Sequence, residues 1–329
     1  MSELHSVAMR MVAKGKGLLA ADESILTCTK RFESINTEST DESRNFYRNM
    51  LFTSDNIAEY ISGIILFDET FHQKELKTGT LFPQYLESQH ILPGIKVDSG
   101  LQSFNDHPKE KVTVGLDGLD KRLSRYYSLG ARFAKWRAVI TLGDGIPSDG
   151  CIQANAEGLA KYALLCQQAN LVPIVEPEVL MDGNHTIDTS FDVTDRTLST
   201  VFNQLEKHNV DLQGIVLKPN MVLSGYNCEN QASVEEVAQK TLKCLTKNVP
   251  SKVPGIAFLS GGQSDELATL HLNEINKHDT NWNVTFSYGR ALQQSALKIW
   301  AGKSENAKAA QETLLSRAKS NSLASTASL

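Results

Sequence analysis

The sequence predicts a single α/β domain closed as a (β/α)₈, or TIM, barrel, and three observations lead to it. Eight short apolar runs alternate with stretches of helical periodicity along the 329 residues, and such alternation implies βαβ units and a parallel sheet. The runs extend from Gly17 to the neighbourhood of Trp300, a span that suits a closed barrel of roughly 250 residues or more. Almost every run carries a charged or hydroxyl residue in or just past its C-terminal half, the end at which such barrels place their chemistry. An open doubly wound sheet is the competing arrangement, but no G-x-G-x-x-G follows the first run as a dinucleotide fold would require.

In chain order the runs are GLLAAD (17–22), YISGIILF (60–67), LPGIKV (92–97), ARFAKWRAVI (131–140), LVPIVEPE (171–178), GIVLKPNM (214–221), PGIAFLSGG (254–262) and NVTFSYGR (283–290). After the fourth, Ile152, Ala156, Leu159, Ala163 and Cys166 recur at spacings of three and four and predict a helix. After the sixth, Ser233 and Glu236 have the spacing of a capping box ahead of Val234, Val237 and Cys244. No linker or composition shift divides the chain. Residues 1–312 are expected to form the barrel with an N-terminal helix, and 313–329 a short polar tail, flexible at its end.

A hydrophobic content of 41% supplies a substantial core. The net charge of −5 gives no general reason to bind nucleic acid or an anionic membrane, although a local basic site for anionic metabolites remains open. There is no signal-like N-terminus and no apolar stretch long enough to span a bilayer. Cys28, Cys151, Cys166, Cys228 and Cys244 are scattered and never spaced C-x-x-C, which suits free thiols in a reducing cytoplasm. The eight histidines never fall at metal-ligand spacing, so neither a metal nor a cofactor is expected, and His72, His185, His208 and His278 are expected at the surface. Trp136 and Trp300 are expected to be packing residues, and Asp120-Lys121-Arg122 a solvated helix face. The terminal Ala-Ser-Leu departs from a peroxisomal S-K-L and is taken as chance.

The chemistry centres on Lys218, an ammonium written into the apolar run Gly214–Met221. Burial drives such a lysine towards the neutral amine, a nucleophile suited to Schiff-base formation with a carbonyl. Residues i and i+2 on a strand share a side, so Lys135 and Arg137 form one pair and Glu176 and Glu178 another on the next strand. Any single pair reads equally well as a self-satisfying ion-pair network. The set reads better as chemistry, because apolar residues would stabilise a barrel as well or better. Lys135 could depress the pKa of Lys218 by like-charge repulsion, Glu176 could move protons if its own pKa is raised, and Asp22 and Glu178 could hold the ammonium groups. Ser260-Gly261-Gly262 and Gly289-Arg290 read together as a phosphate site after the last two strands, whereas SGG alone is as easily a turn. Lys96, farther round the rim, invites a second phosphate.

These residues carry a resemblance to class I fructose-1,6-bisphosphate aldolase, the metal-independent Schiff-base enzyme of glycolysis and gluconeogenesis. It covers nearly the whole chain: KGLLAADES (16–24), GIILFDET (63–70), GIKVDSG (94–100), GLDGL (115–119), FAKWR (133–137), PIVEPE (173–178), LKPNMV (217–222), PGIAFLSGGQS (254–264), TFSYGRALQ (285–293) and AKAAQ (307–311). The resemblance implies that Lys218 is the Schiff-base lysine and Glu176 the acid/base, with Asp22, Lys135 and Glu178 completing the proton network. It implies that Arg137 binds substrate, that Ser260, Gly261, Gly289 and Arg290 hold the phosphate on C1, and that Lys96 with Ser24 holds the C6 phosphate. The implied reaction is reversible cleavage of fructose 1,6-bisphosphate to dihydroxyacetone phosphate and glyceraldehyde 3-phosphate through an enamine, in a cytoplasmic homotetramer whose partner is a phosphorylated sugar.

Three departures from the family pattern set further expectations. Ile25-Leu26-Thr27 replaces the usual Thr-Gly-Ser after ADES, and Ser99 stands where a lysine is common, so the C6-phosphate end is expected to be weakened. The chain ends SNSLASTASL without the family's tail tyrosine, from which slow enamine turnover is expected, with the larger loss on the bisphosphate. An attenuated paralogue acting as a binding or scaffold protein is the alternative reading. A transaldolase-like Schiff-base barrel is a third, which would keep the lysine but not two phosphate ends.

Overall fold

The structure, a computed structural model, describes residues 2–104 and 107–329. Its strands are β1 (Gly17–Ala21), β2 (Ile61–Leu66), β3 (Leu92–Lys96), β4 (Leu101–Phe104), β5 (His107–Thr113), β6 (Phe133–Ile140), β7 (Val172–Val179), β8 (Val216–Leu217), β9 (Gly255–Phe258) and β10 (Asn283–Tyr288). The helices are α1 (Glu3–Met11), α2 (Ile25–Glu33), α3 (Asp41–Phe52), α4 (Asp68–His72), α5 (Phe82–Ser88), α6 (Leu119–Ser128), α7 (Asp149–Gln168), α8 (Ile187–Lys207), α9 (Val234–Asn248), α10 (Asp265–Asn276), α11 (Arg290–Trp300) and α12 (Ala307–Ala324). Eight strands close into a barrel in the order β1-β10-β9-β8-β7-β6-β3-β2, each pair parallel. This is the (β/α)₈ architecture predicted from the sequence, and each of the eight apolar runs supplies one strand.

The interior of the barrel is a small core of its own. Leu18, Ala20, Ile65, Leu92, Phe133, Val172, Ile174, Val216 and Ala257 cluster there with Val7, Ala8, Met11 and Val12, so α1 and the residue after it plug the floor. Phe133 is fully buried, and burial of a ring of that size contributes about 1.5–3 kcal/mol. Its ring occupies the space over Gly94, where a Cβ would stand 2.1 Å from a ring carbon. On the same strands, side chains two or four residues nearer the C-terminal end point the same way and are charged: Lys96, Lys135, Arg137, Glu176 and Glu178. Outside the barrel a second cluster packs strands against helices, with Trp136 stacked on Tyr162 and Trp300 against Phe32, Phe46 and Tyr47. Both tryptophans are packing residues, as predicted, and all five cysteines are free.

Four features differ from the sequence-based expectation. The sixth run forms only the two-residue β8, because Pro219 has no N–H to give to a ladder. Lys218 N still donates to Val175 O at 2.8 Å and Pro219 O accepts from Leu259 N at 3.1 Å, so barrel pairing continues past the strand. The antiparallel hairpin β4–β5 was not predicted; its largely exposed residues carry no apolar alternation. Arg122 is not simply solvated: it donates to Val97 O (3.0 Å) and Gly115 O (2.5 Å), which ties down the loop after β3. Finally, residues 313–324 are not a separate polar tail. They continue α12, burying Leu314, Ala318, Asn321 and Ala324, with Ser322 Oγ donating to Gly15 O at 2.6 Å and Leu329 N to Asn273 Oδ1 at 3.2 Å. Small residues at helical spacing were read as polar where they in fact permit close packing.

Candidate active site

A cavity of about 480 Å³ opens at the C-terminal end of the barrel. Every one of the twelve residues singled out from the sequence lines it: Asp22, Ser24, Lys96, Lys135, Arg137, Glu176, Glu178, Lys218, Ser260, Gly261, Gly289 and Arg290. Register explains the convergence. Arg137 pairs with Glu176 and Lys96 with Lys135 across neighbouring strands, so charges two residues apart stack into a layer just above the apolar floor.

The layer is a chain of alternating charge. Lys218 Nζ lies 3.0 Å from Glu176 Oε1, Glu176 Oε2 lies 3.1 Å from Lys135 Nζ, and Lys135 donates to Asp22 Oδ2 at 2.8 Å. Lys218, Glu176 and Lys135 are each no more than 5% exposed. The Lys135–Glu176 approach is an ion pair without hydrogen-bond alignment, which leaves Oε2 a buried acceptor with an unused lone pair. A second pair, Arg137 to Glu178, flanks the chain, and Lys96 lies 3.5 Å from Asp98.

Burial alone would raise the Asp22 carboxyl, but the charges of Lys135 and Lys218 outweigh it and hold the group far below the usual carboxylate range. Glu176 behaves alike: burial raises it, and Lys135, Lys218 and Arg137 together bring it below its ordinary value. From the sequence, proton donation by Glu176 is conditional on a raised pKa; in the structure the group is lowered instead, because the carboxylate sits between two ammonium groups. For Lys135, burial favours the neutral form, but Asp22 and Glu176 reverse the balance and lift it well above the usual lysine range. Lys135 is a fixed positive charge.

The ends of the cavity are built by loops. Ser260 and Gly261 follow β9, and Gly262, in the left-handed region at φ +81°, turns the chain where a Cβ would strike Met181 at 2.3 Å. Gly289 precedes Arg290 at the start of α11. On the other side, Ser24 caps α2, its Oγ accepting from Thr27 N at 3.3 Å. Ile25 and Leu26 are 42% and 76% exposed, and neither they nor Ser99 lines the cavity. The apolar substitutions therefore stand at the rim and not within the site.

Several lining residues were missed from the sequence. Thr27 and Arg31 lie one and two turns along α2 from Ser24 on the same face, a spacing that could have found them. Arg31 pairs with Glu23, whose other oxygen lies 2.5 Å from the buried Arg48. Ser287 is among the lining residues but only 1% exposed, and its hydroxyl is buried with no hydrogen-bond partner among the described residues. Two residues before Gly289, it shares that residue's side of the strand. Tyr226 and Asp182 stand at the rim on loops that no pattern marked. Among the described residues no group of three or more His, Cys, Asp or Glu is placed to hold a metal ion.

A barrel whose inner charges alternate around a buried lysine, between one end lined by a seryl-glycine loop and an arginine and another lined by a helix N-terminus and lysine, defines a barrel enzyme for small anionic substrates. The model of the glycolytic class I fructose-bisphosphate aldolases matches residues 3–329. A probable class 1 fructose-bisphosphate aldolase of Xanthomonas campestris is 53% identical over 324 residues, covering 98% of this chain and 97% of its own length. The cytosolic fructose-bisphosphate aldolase 4 of Arabidopsis thaliana is 50% identical over 97% of this chain and 82% of its own. A ternary co-crystal structure of Plasmodium falciparum fructose-bisphosphate aldolase, with TRAP and a small-molecule inhibitor, superposes with a TM-score of 0.97 at 48% identity, covering 99% of this chain and 94% of that one. The chain belongs to the class I fructose-bisphosphate aldolase family, lyases that cleave fructose 1,6-bisphosphate reversibly to dihydroxyacetone phosphate and glyceraldehyde 3-phosphate. The scaffold alternative is not favoured, since these relatives are named as enzymes and the ionisable residues stand assembled in the cavity. No helix among the described residues is long and apolar enough to cross a membrane.

Proposed function

We propose that Lys218 is the nucleophile of the aldol cleavage, and that the Lys218–Glu176–Lys135–Asp22 chain is its proton relay. The carrying observation is that one carboxylate, Glu176, touches both ammonium groups. Lys218 passes a proton to Glu176 and, as the free amine, adds to the C2 carbonyl of the sugar. That transfer removes one of the three cations that depress Glu176, so the carboxyl becomes a more competent donor at the moment the carbinolamine hydroxyl must leave as water. Lys135, kept protonated by Asp22, holds the remaining charge.

In the resulting iminium a base removes the C4 hydroxyl proton, the C3–C4 bond breaks, the aldehyde leaves, and the bond's electron pair moves into the iminium as an enamine. Glu176, ionised again once the water has left and standing beside Lys218 in the cavity, is the carboxylate placed to accept that hydroxyl proton. Protonation at C3 and hydrolysis then return Lys218 and release dihydroxyacetone phosphate. Glu178 holds Arg137 to the substrate chain.

Ser260, Gly261, Gly289 and Arg290 receive the 1-phosphate, and Lys96 with Ser24 the 6-phosphate. The latter end uses the N-terminus of α2 as well as charge. A cytoplasmic homotetramer is the assembly the family likeness suggests. The test is triose formation from fructose 1,6-bisphosphate by the wild-type chain and by Lys135→Met. The account expects turnover per folded molecule only in the former, with the variant less stable because Asp22 and Glu176 lose the ammonium between them; full turnover per folded Lys135→Met would refute the relay.

A further inference from the structure

We propose that Tyr226 is a positioning residue for the 1-phosphate, holding the Arg290 guanidinium at the mouth of the cavity and presenting its own hydroxyl proton to the bound phosphate. This rests on the reading of Arg290 as a phosphate ligand. Tyr226 lies on the loop that leads away from Lys218, and its side chain is 51% exposed, so it is not there to fill a core.

Its backbone is nevertheless closely fixed. Three successive amides of this loop donate to the loop after β7: Gly225 N to His185 O (2.8 Å), Tyr226 N to Met181 O (2.9 Å) and Asn227 N to Gly183 O (2.8 Å). Gly225 is required for this approach, because a Cβ there would stand 2.4 Å from Gly183 O. An exposed aromatic on a pinned backbone, lining the cavity, is an arrangement that fits a ligand-facing role.

The contact it makes is with Arg290: Nη2 donates to the Tyr226 hydroxyl at 3.4 Å. The partner that orients this guanidinium is thus a neutral phenol and not a carboxylate. A carboxylate would compete with an incoming phosphate for the positive charge. A phenol restrains the arginine, reducing the side-chain entropy lost on binding, while leaving the charge unspent. A phenol that accepts one hydrogen bond also keeps its proton to donate, and a phosphate held by Arg290 offers acceptor oxygens beside it. Because the 1-phosphate does not react, help of this kind acts on substrate and transition state alike and belongs in KM and not in kcat.

The test compares dihydroxyacetone phosphate with dihydroxyacetone, which has no phosphate, as ligands trapped with borohydride on the wild-type chain, Tyr226→Phe, Arg290→Ala and the double variant. Tyr226→Phe is expected to raise the half-saturating concentration of dihydroxyacetone phosphate about three- to tenfold, the size of one hydrogen bond, and to leave dihydroxyacetone unaffected. KM for fructose 1,6-bisphosphate should rise by the same factor with kcat unchanged, and the tyrosine substitution should cost less once Arg290 is gone, because the part that acts through the guanidinium is lost with it. Equal weakening of both ligands, or full additivity in the double variant, overturns the proposal. A wild-type response of Tyr226→Phe beside a large loss in Arg290→Ala overturns it and leaves the phosphate reading standing. No loss in Arg290→Ala overturns both.

Discussion

The two halves of the barrel interior are built on the same strands and the same side-chain parity, yet they solve opposite problems. At the floor, Phe133, Val172, Ile174 and Val216 pack against Val7, Met11 and Val12 of the N-terminal segment. One or two inward positions further along, Lys135, Glu176 and Lys218 are as deeply buried and are charged. The floor gains from every buried group. The upper layer gives up that gain, since well-packed apolar residues would often be neutral or stabilising by about 1–4 kcal/mol in place of a buried ion pair. The difference teaches where stability and chemistry are separated: within a single strand, over about two residues, or some 6–7 Å.

Substitutions that respect this boundary should affect one property and spare the other, and the largest effect belongs to the upper layer. Lys218→Met should lower kcat/KM by about 10⁴-fold or more through loss of the nucleophile, with Tm unchanged or raised; steady-state assays and calorimetry on one preparation check both halves. A thermal loss comparable with the catalytic one would dissolve the separation. Next, Glu176→Gln should cost about 10²- to 10⁴-fold in kcat, and trapping of the intermediate should slow in step. The variant also leaves Lys218 and Lys135 without the carboxylate between them, so its stability should fall, unlike that of Lys218→Met.

On the floor, Phe133→Ala should destabilise the chain by about 3–5 kcal/mol by opening a cavity beside Gly94, measured by denaturant unfolding, with kcat per folded molecule preserved. A kcat loss larger than tenfold would mean that the floor shapes the charged layer.

The smallest effect sharpens the comparison outside the barrel. His271 is buried on α10 behind the phosphate loop, its Nδ1 2.7 Å from Gln263 Oε1, and burial pushes its pKa down to about 4. Its folded value lies below the unfolded value of about 6.5, so the unfolded chain binds the proton first. The contribution to stability is complete above about pH 6.5 and is lost as pH falls through about 4, by up to about 3 kcal/mol. His271→Gln should flatten unfolding free energy across that window, whereas identical pH slopes in both chains would show that His271 does not cause the loss. Asp22 and Glu176, whose folded values are depressed, lose their own contribution only below the ordinary carboxylate range.

The barrel and the paired charges on its strands were legible because strand parity is a local property; the seryl-glycine loop and Arg290 were legible from their place after the last strands, and Ser24 came only from the family resemblance. A run such as FAKWR states which side chains share a face, and eight such runs leave little choice of closure. What lay outside that reading depends on contacts distant in sequence or on backbone shape. Tyr226 reaches Arg290 across 64 residues, and its loop is pinned by backbone amides that carry no residue-type signal. Arg31 lies two turns along α2 from Ser24, and finding it needed a helical reading of the stretch after ADES. The same confusion of small with solvated residues hid α12, where Ala310, Ala318 and Ala324 are buried. The direction of the Glu176 shift, conditional from the sequence, depends on the position of the carboxylate between two lysines, whereas the sequence shows only its burial.

The central claim is that the buried amine of Lys218 carries the substrate. It is tested most directly by reducing the chain with borohydride in the presence of dihydroxyacetone phosphate and mapping the modified peptide by mass spectrometry. The account predicts one adduct per chain, on the peptide containing Lys218, and none on Lys135, whose proton is held by Asp22 and Glu176. Label on Lys135, or a wild-type chain that turns over the sugar and traps nothing, would contradict it.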